Sequence, residues 1–506
     1  MFSLISRAHQ HGEGVAVIDS RGTYTYDDLL DSSSLFATML LGRKKDLSES
    51  RVAFAVQPGF CWVAVQWGIW RAGGIAVPLP LSVPNRELEY LIEDSGASTL
   101  VYDSHTAPMM RPIAEACGIR ALSCDRLGEP RSAESRNIQI EIAADRRAMI
   151  LYTSGTTRLP KGVVTTHANI TAQISSLVEA WEWSSDDRVL LCLPLHHIHG
   201  IINVVGCALW SGASCVMLPR FDATAVWNCI ADRGVNLVMA VPTIYVKLIA
   251  AWEAASPERQ VRLSNACTKL RLMVSGSAAL PVSILQRWKE ISGHTLLERY
   301  GMTETGMALS NPLHGERVPG CVGKPLPGVA IQLVAEDGTL VDEGQAGEIK
   351  VRGPGVFLEY WRKPDATRSV FRDGWFHTGD TAIVKDGLYR ILGRTSSDIL
   401  KTGGHKVSAL EIEEVLREHP AVADCAVVGV PDEEWGERIA AALVLNGRDS
   451  LDLPSLRAWA RKSLATHKLP SRLLLLDALP RNTMGKVMKS SVVALFQKAR
   501  ASESPS

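Results

Sequence analysis

The chain has 506 residues, a length that argues for two or more domains, and its 46% hydrophobic and 21% charged content excludes wholesale disorder. Fifty-four basic residues balance 54 acidic ones, so no electrostatic field points to nucleic acid as a partner. Ten cysteines are scattered without a C-x-x-C pair, which suggests neither a zinc knuckle nor a disulfide framework and fits a reducing compartment, the cytoplasm, best.

In chain order, Met1 to Gly12 does not read as a signal peptide, because Arg7, His9 and His11 follow its short apolar part. Thr23 to Leu29 reads as a short strand running into a capped helix, and Arg51 to Val56 as a strand. Phe60 to Arg71 has helical spacing and ends at Gly73-Gly74, before a strand at Ile75 to Leu79. The strand–helix rhythm recurs at Ser98–Tyr102, Val189–Leu193, Cys215–Leu218, Leu237–Val241 and Leu270–Val274. It implies largely parallel sheets with helices on their faces. Ser132 to Ile142 is polar and reads as a surface connection. Ile201 to Leu218 is strongly apolar but holds Asn203, Gly206, Ser211 and Gly212. It reads as a helix, a turn and a buried strand rather than a membrane span.

After Gly328 the texture becomes antiparallel. Val329–Val334 alternates, Glu336 to Thr339 reads as a hairpin turn, and Gly347–Val351 as the next strand. The expected fold class is therefore α/β: a large N-terminal domain over 1–393, with mixed and parallel sheets, flanking helices and a small β-barrel-like unit. A hinge is expected at 394–398, and a small α+β C-terminal domain over 399–506. The latter has helices at Ser408–Glu418 and Pro454–Leu464 and from Ser490, and strands at Cys425–Val430, Ala440–Leu445 and Arg472–Leu476.

Five stretches carry chemistry. Thr153-Ser154-Gly155-Thr156-Thr157 follows the apolar strand Ala148–Tyr152 and leads to Lys161. Small residues, hydroxyls and an ammonium at this spacing make a cradle for polyphosphate, or a Ser/Thr-rich surface turn. The Walker spacing is absent, which removes a P-loop kinase. Tyr300-Gly301-Met302-Thr303-Glu304 puts a flat aromatic, a hydroxyl and a carboxylate within five residues, as a nucleotide–Mg²⁺ site needs; a strand end with a packed tyrosine has the same pattern. Asp380, after Gly379, and Arg394 could meet ribose hydroxyls, or Asp380 could cap a turn. Lys486, after Gly485, matters only if its domain folds over the cradle. His196, His197 and His199 lack a Cys or acidic partner at ligand spacing and read as imidazoles lining a pocket rather than a metal site.

Taken in order, TSGTT-x-x-PKG from Thr153, YGMTE from Tyr300, WFHTGD from Trp375, Gly393-Arg394, GGHKVSALEIE from Gly403 and PRNTMGK from Pro480 span nearly the whole chain. This set resembles the superfamily of acyl-CoA synthetases, peptide-synthetase adenylation domains and beetle luciferases. Arg271–Pro281, Glu298–Glu304, Ser310–Pro312, Val318–Gly320 and Pro325–Gly328 are similar to malonyl-CoA synthetases in particular. The resemblance implies two half-reactions, adenylation of a carboxylate by ATP and displacement of AMP by CoA. It assigns Thr153, Ser154, Gly155, Thr156, Thr157 and Lys161 to the β- and γ-phosphates, and Tyr300, Gly276 and Ser277 to adenine. Thr303 falls to the α-phosphate, Glu304 to Mg²⁺, and Asp380 and Arg394 to ribose. Lys486 bridges the incoming carboxylate and the adenylate phosphate. A mobile C-terminal domain then brings Lys401, Gly403 and Gly404 to the pantetheine path.

For a dicarboxylate the far carboxylate needs a cationic partner. Arg299 is the expected one, with Lys247 second and His197 and His199 along the wall. Two departures stand out: Arg158 where the superfamily carries glycine, and a hinge stretch, Thr395 to Asp398, one residue longer than in many relatives. The resulting expectation is an AMP-forming malonate–CoA ligase without nucleic-acid or membrane partners. The alternatives are a ligase for another short or medium acid and a non-catalytic nucleotide-binding homologue; a carrier-loading domain fits less well.

Overall fold

A computed structural model describes residues 3–128, 141–153, 159–447, 450–481 and 487–503. Two sheets with mostly parallel interiors form the bulk of the chain. The first has nine strands, and from one edge its order is Lys324–Pro325, Gly306–Ser310, Leu297–Met302, Leu272–Ser275, Leu237–Ala240, Arg188–Leu191, Ser214–Met217, Val15–Ile18 and Thr23–Thr25. The six strands from Leu297–Met302 to Val15–Ile18 run parallel, and the edges are antiparallel. The second sheet has seven strands, ordered Glu359–Tyr360, Lys161–Thr166, Arg147–Thr153, Ile75–Pro78, Arg51–Ala55, Thr99–Tyr102 and Arg120–Ser123.

Burial explains why these segments read as unbroken apolar runs. All four residues of Ile75–Pro78 and of Leu237–Ala240 are buried, because helices cover both faces of a parallel sheet. The helix Phe60–Arg71 is buried on every side, including Trp62, Trp67 and Trp70. A helix apolar all round belongs between layers, and it shares one core with Phe54 and Met149 of the second sheet and Val189 and Val238 of the first.

A third, antiparallel sheet joins Ala330–Val334, Gly347–Arg352, Trp375–Lys385, Phe371–Arg372 and Leu388–Arg394. Residues 395–398 form a turn, and a fourth sheet follows with its own core: His405–Ser408, Ile399–Thr402, Gly436–Leu445, Val422–Asp432 and Arg472–Leu475. Its helices are Ala409–Arg417, Leu453–Ala460 and Lys489–Glu503. The α/β class, with large N-terminal sheets and a smaller C-terminal unit, is as the sequence implies.

The stretch from His199 differs in detail. It opens as a π-helix, His199–Gly206, continues as the short α-helix Cys207–Ser211, turns at Gly212 and ends in Ser214–Met217. Among the described residues, no helix is long and apolar enough to cross a membrane.

Candidate active site

The strand Leu297–Met302 and the turn after it place four of the expected residues, Arg299, Tyr300, Thr303 and Glu304, on one short stretch. Successive strand residues point to opposite faces. Arg299 therefore faces the end of the neighbouring strand Leu272–Ser275, while Tyr300 packs toward the third sheet beside Ala308 and Ile349. This division makes two compartments.

On the Tyr300 side, its hydroxyl donates to Asp380 Oδ2 at 2.6 Å, and Arg394 Nε lies 2.9 Å from Asp380 Oδ1. Asp380 and Arg394 are also register partners across the hairpin, so the pair is fixed by backbone as well as charge. Burial, followed by the Asp380 charge, pushes the Tyr300 phenol well above its ordinary value and keeps it a neutral donor. Glu304 is buried, and its Oε1 accepts from the Tyr360 hydroxyl at 2.9 Å. Burial raises the Glu304 carboxyl and the Tyr360 bond opposes that rise. Lys161 Nζ lies 5.0 Å from the centre of the Tyr360 ring. Thr153 is the register partner of Lys161, so both feet of the expected phosphate cradle stand at this compartment. Ser154, Gly155, Thr156, Thr157, Arg158 and Lys486 lie outside the described residues.

On the Arg299 side, the guanidinium is only 3% exposed. Its Nη2 donates to Ser277 Oγ at 3.4 Å, and no acidic side chain pairs with it among the described residues. Burial draws it down to about 9. Gly276 leaves the room the guanidinium occupies, because a Cβ at that position would stand 2.5 Å from Arg299 Cζ and displace it. Ser277 holds φ +70°, a left-handed conformation that few non-glycine residues adopt and that recurs at ligand sites. His199 Nδ1 lies 3.5 Å from Ser277 Oγ. Burial, with the nearby Arg299 charge, pushes His199 well below its ordinary value, and burial takes His197 down to about 4, so both imidazoles are neutral at pH 7. Gly276 and Ser277, assigned by resemblance to adenine, thus also shape the guanidinium's seat.

The strongest signal in this compartment is unsatisfied polarity. His197 Nε2, His199 Nε2 and Arg299 Nε are buried without a hydrogen-bond partner, and so are Ser275 Oγ, next in sequence to Gly276, and both polar atoms of Asn203, four residues along the π-helix from His199. Buried polar atoms are normally paired, and a cluster that is not points to a polar ligand. Sequence reading missed Asn203 and Ser275. A polar amide inside the apolar run Ile201 to Val205 was the available signal.

Other expected residues stand apart. Lys247 is exposed on the helix Pro242–Glu253, its ammonium 5.7 Å from the Phe221 ring. Ile244, Tyr245, Leu248 and Ile249 form the buried face of that helix, which turns Lys247 outward. No hydrogen bond joins it to Arg299 or the histidines among the described residues. Lys401 belongs to the hairpin of the fourth sheet, exposed, with Nζ 3.5 Å from Glu336. Gly403 and Gly404, at φ +54° and +79°, make the two-residue turn of that hairpin, a conformation glycine tolerates best.

A family model described as AMP-binding enzyme matches residues 4–361, and one described as AMP-binding enzyme C-terminal domain matches residues 411–486. The chain is similar to the mitochondrial malonate–CoA ligase ACSF3 of Xenopus laevis, at 45% identity over 97% of this chain and 92% of that protein. The counterpart from Bos taurus is also 45% identical, over 96% of this chain and 89% of its own length. Among solved structures, ATP-bound MatB from Rhodopseudomonas palustris superposes with a TM-score of 0.89 at 33% identity, covering 99% of this chain and all of that one.

Proposed function

We propose, on the premise that this chain belongs to the AMP-binding enzyme family, that it is an ATP-dependent ligase joining malonate to CoA. The observation that carries the substrate is Arg299: a buried cation without an acidic partner among the described residues, set among unsatisfied polar atoms. A guanidinium in that position calls for an anion, and the distal carboxylate of a short dicarboxylic acid supplies one. The names of the relatives support malonate.

In the first half-reaction a malonate oxygen attacks the α-phosphorus of ATP and the bond to pyrophosphate breaks, leaving malonyl-AMP. In the second the CoA sulfur attacks the acyl carbon, the bond to AMP breaks, and the thiol proton passes to solvent. The chain's part is to hold two anions together and to offset charge that grows between them. In this reading Arg299, with His197 and His199 along the wall, orients the distal carboxylate so that the other one reaches phosphorus. Tyr300, Asp380 and Arg394 seat the nucleoside, and Thr303 meets the α-phosphate. Thr153 to Thr157 with Lys161 hold the outer phosphates. Lys486 serves adenylation, and Lys401, Gly403 and Gly404 serve the thiol step, with 394–398 as the hinge between 1–393 and 399–506.

Glu304 suits a divalent cation shared with phosphate oxygens and water. It is a buried carboxylate held by one tyrosine hydroxyl, and the described residues gather no cluster of three protein ligands. When bound, Mg²⁺ would neutralise phosphate charge. All ten cysteines are free, which supports a reducing location such as the cytoplasm.

The test is pyrophosphate release across malonate, methylmalonate, succinate, acetate and octanoate, with and without CoA. Malonate should lead the series, and turnover should need CoA. Octanoate ahead of malonate would remove the dicarboxylate reading.

A further inference from the structure

Asn203 is 0% exposed, and neither Nδ2 nor Oδ1 has a hydrogen-bond partner. Its neighbours Ile201, Ile202, Val204 and Val205 are buried and apolar, so packing alone would be served by leucine or valine. A primary amide brings two N–H donors and one acceptor into that setting, and leaving them unpaired costs stability. Residues that break a local rule in this way are expected at functional positions.

The helix explains where the amide faces. Asn203 follows His199 by four residues within the π-helix His199–Gly206, close to one turn, so the two share a face. That face is turned toward the Arg299 compartment, since His199 Nδ1 lies 3.5 Å from the same Ser277 Oγ that Arg299 Nη2 reaches at 3.4 Å. Single π-helical turns are rare and recur at functional sites.

We propose that Asn203 is a specificity-determining residue for the acid, its amide N–H groups donating to the distal carboxylate that Arg299 neutralises. The inference rests on the malonate reading above and deepens it. A guanidinium fixes charge, while a carboxylate offers about four lone-pair positions that Arg299 alone does not fill. The amide adds a directed donor without a second charge. An acid with a methyl end leaves both the amide and the guanidinium unpaired, so rejection is stronger than either group achieves alone.

The test is Asn203→Leu, which keeps the branching and the number of heavy atoms in the side chain and removes the polar ones. The expected result has two parts. Malonate kcat/KM falls roughly 10- to 100-fold, the loss of a hydrogen bond to a charged group, and falls mainly through KM. The free protein keeps or raises its melting temperature, while the thermal shift given by malonate shrinks. Asn203→Asp places a like charge by the carboxylate and should weaken malonate further than Asn203→Leu does. A lower melting temperature with an unchanged malonate KM would overturn the inference, because Asn203 would then be holding the helix. Unchanged malonate discrimination in both variants would overturn it too. Wild-type protein in the same assay separates the two ideas. Failure of wild type to use malonate removes the substrate reading itself, whereas malonate use that ignores position 203 removes only the role of Asn203.

Discussion

Replacing Arg299 by leucine tests the buried cation directly. The guanidinium is 3% exposed, and burial alone brings it from 12.5 down to about 9. A drop of that size corresponds to about 5 kcal/mol of unfavourable desolvation in the free protein. A carboxylate seated on the guanidinium recovers energy of that order, which matches roughly 10⁴-fold discrimination between an acid that supplies the partner and one that does not. Arg299→Leu should therefore lower malonate kcat/KM by about 10³- to 10⁴-fold, leave melting unchanged or raised, and improve use of butyrate, whose methyl end then meets an apolar wall. Pyrophosphate release with each acid, beside thermal melting of the free protein, reads both sides. A variant that unfolds, or one that keeps the wild-type ratio of malonate to butyrate, would refute the reasoning.

Asp94 ties both feet of the phosphate cradle: it accepts from Tyr152 at 2.8 Å, and Tyr90, which also contacts Asp94 at 3.3 Å, donates to Pro160 O at 3.1 Å. Asp94→Ala should raise KM for ATP several-fold with little change in malonate KM, measured by steady-state kinetics, and Asp94→Asn should restore part of the loss. Glu298 is buried, and burial raises its carboxyl to about 7. The native state then holds a proton that the unfolded chain has lost between about pH 4.5 and 7, so this group's stabilisation is full below 4.5 and is lost as pH rises through 7. Glu298→Gln should flatten that decline, worth at most about 3 kcal/mol, seen as a smaller fall in melting temperature between pH 5 and 8 than wild type shows. Lys486→Ala should slow adenylation about 10²- to 10³-fold yet turn over supplied malonyl-adenylate at a near-normal rate with CoA; equal loss of both steps would give Lys486 a structural role.

Local pattern carried much of the architecture. The helix Phe60–Arg71 and the strands Ile75–Pro78 and Arg147–Thr153 follow from apolar runs bounded by glycine, since a buried element must be apolar wherever it touches a layer. The hairpin at Glu336–Thr339 follows from its turn residues and is closed by Ala335 N to Thr339 O. What depends on distant partners was illegible. The pairing of Asp398 with Lys489 and of Lys489 with Glu413, at 2.7 and 2.9 Å, joins residues far apart in the chain. Nor does any pattern at Glu298 announce a carboxyl capped by Gly320 N. The exposure of Lys247 was legible, because the spacing of Ile244, Tyr245, Leu248 and Ile249 places it on the outer face of its helix. At Asn203 the sequence shows a polar amide in an apolar run, and only the fold shows that it is fully buried with neither polar atom paired.

The most direct measurement follows oxygen atoms. Malonate labelled with ¹⁸O in its carboxylates, incubated with ATP, Mg²⁺, CoA and the protein, should give malonyl-CoA together with AMP carrying one ¹⁸O. Pyrophosphate should stay unlabelled, because a carboxylate oxygen becomes the bridge to the α-phosphorus and remains there when sulfur displaces it. ¹⁸O in inorganic phosphate with ADP as product, or AMP without label, would contradict the adenylate route on which the whole account stands.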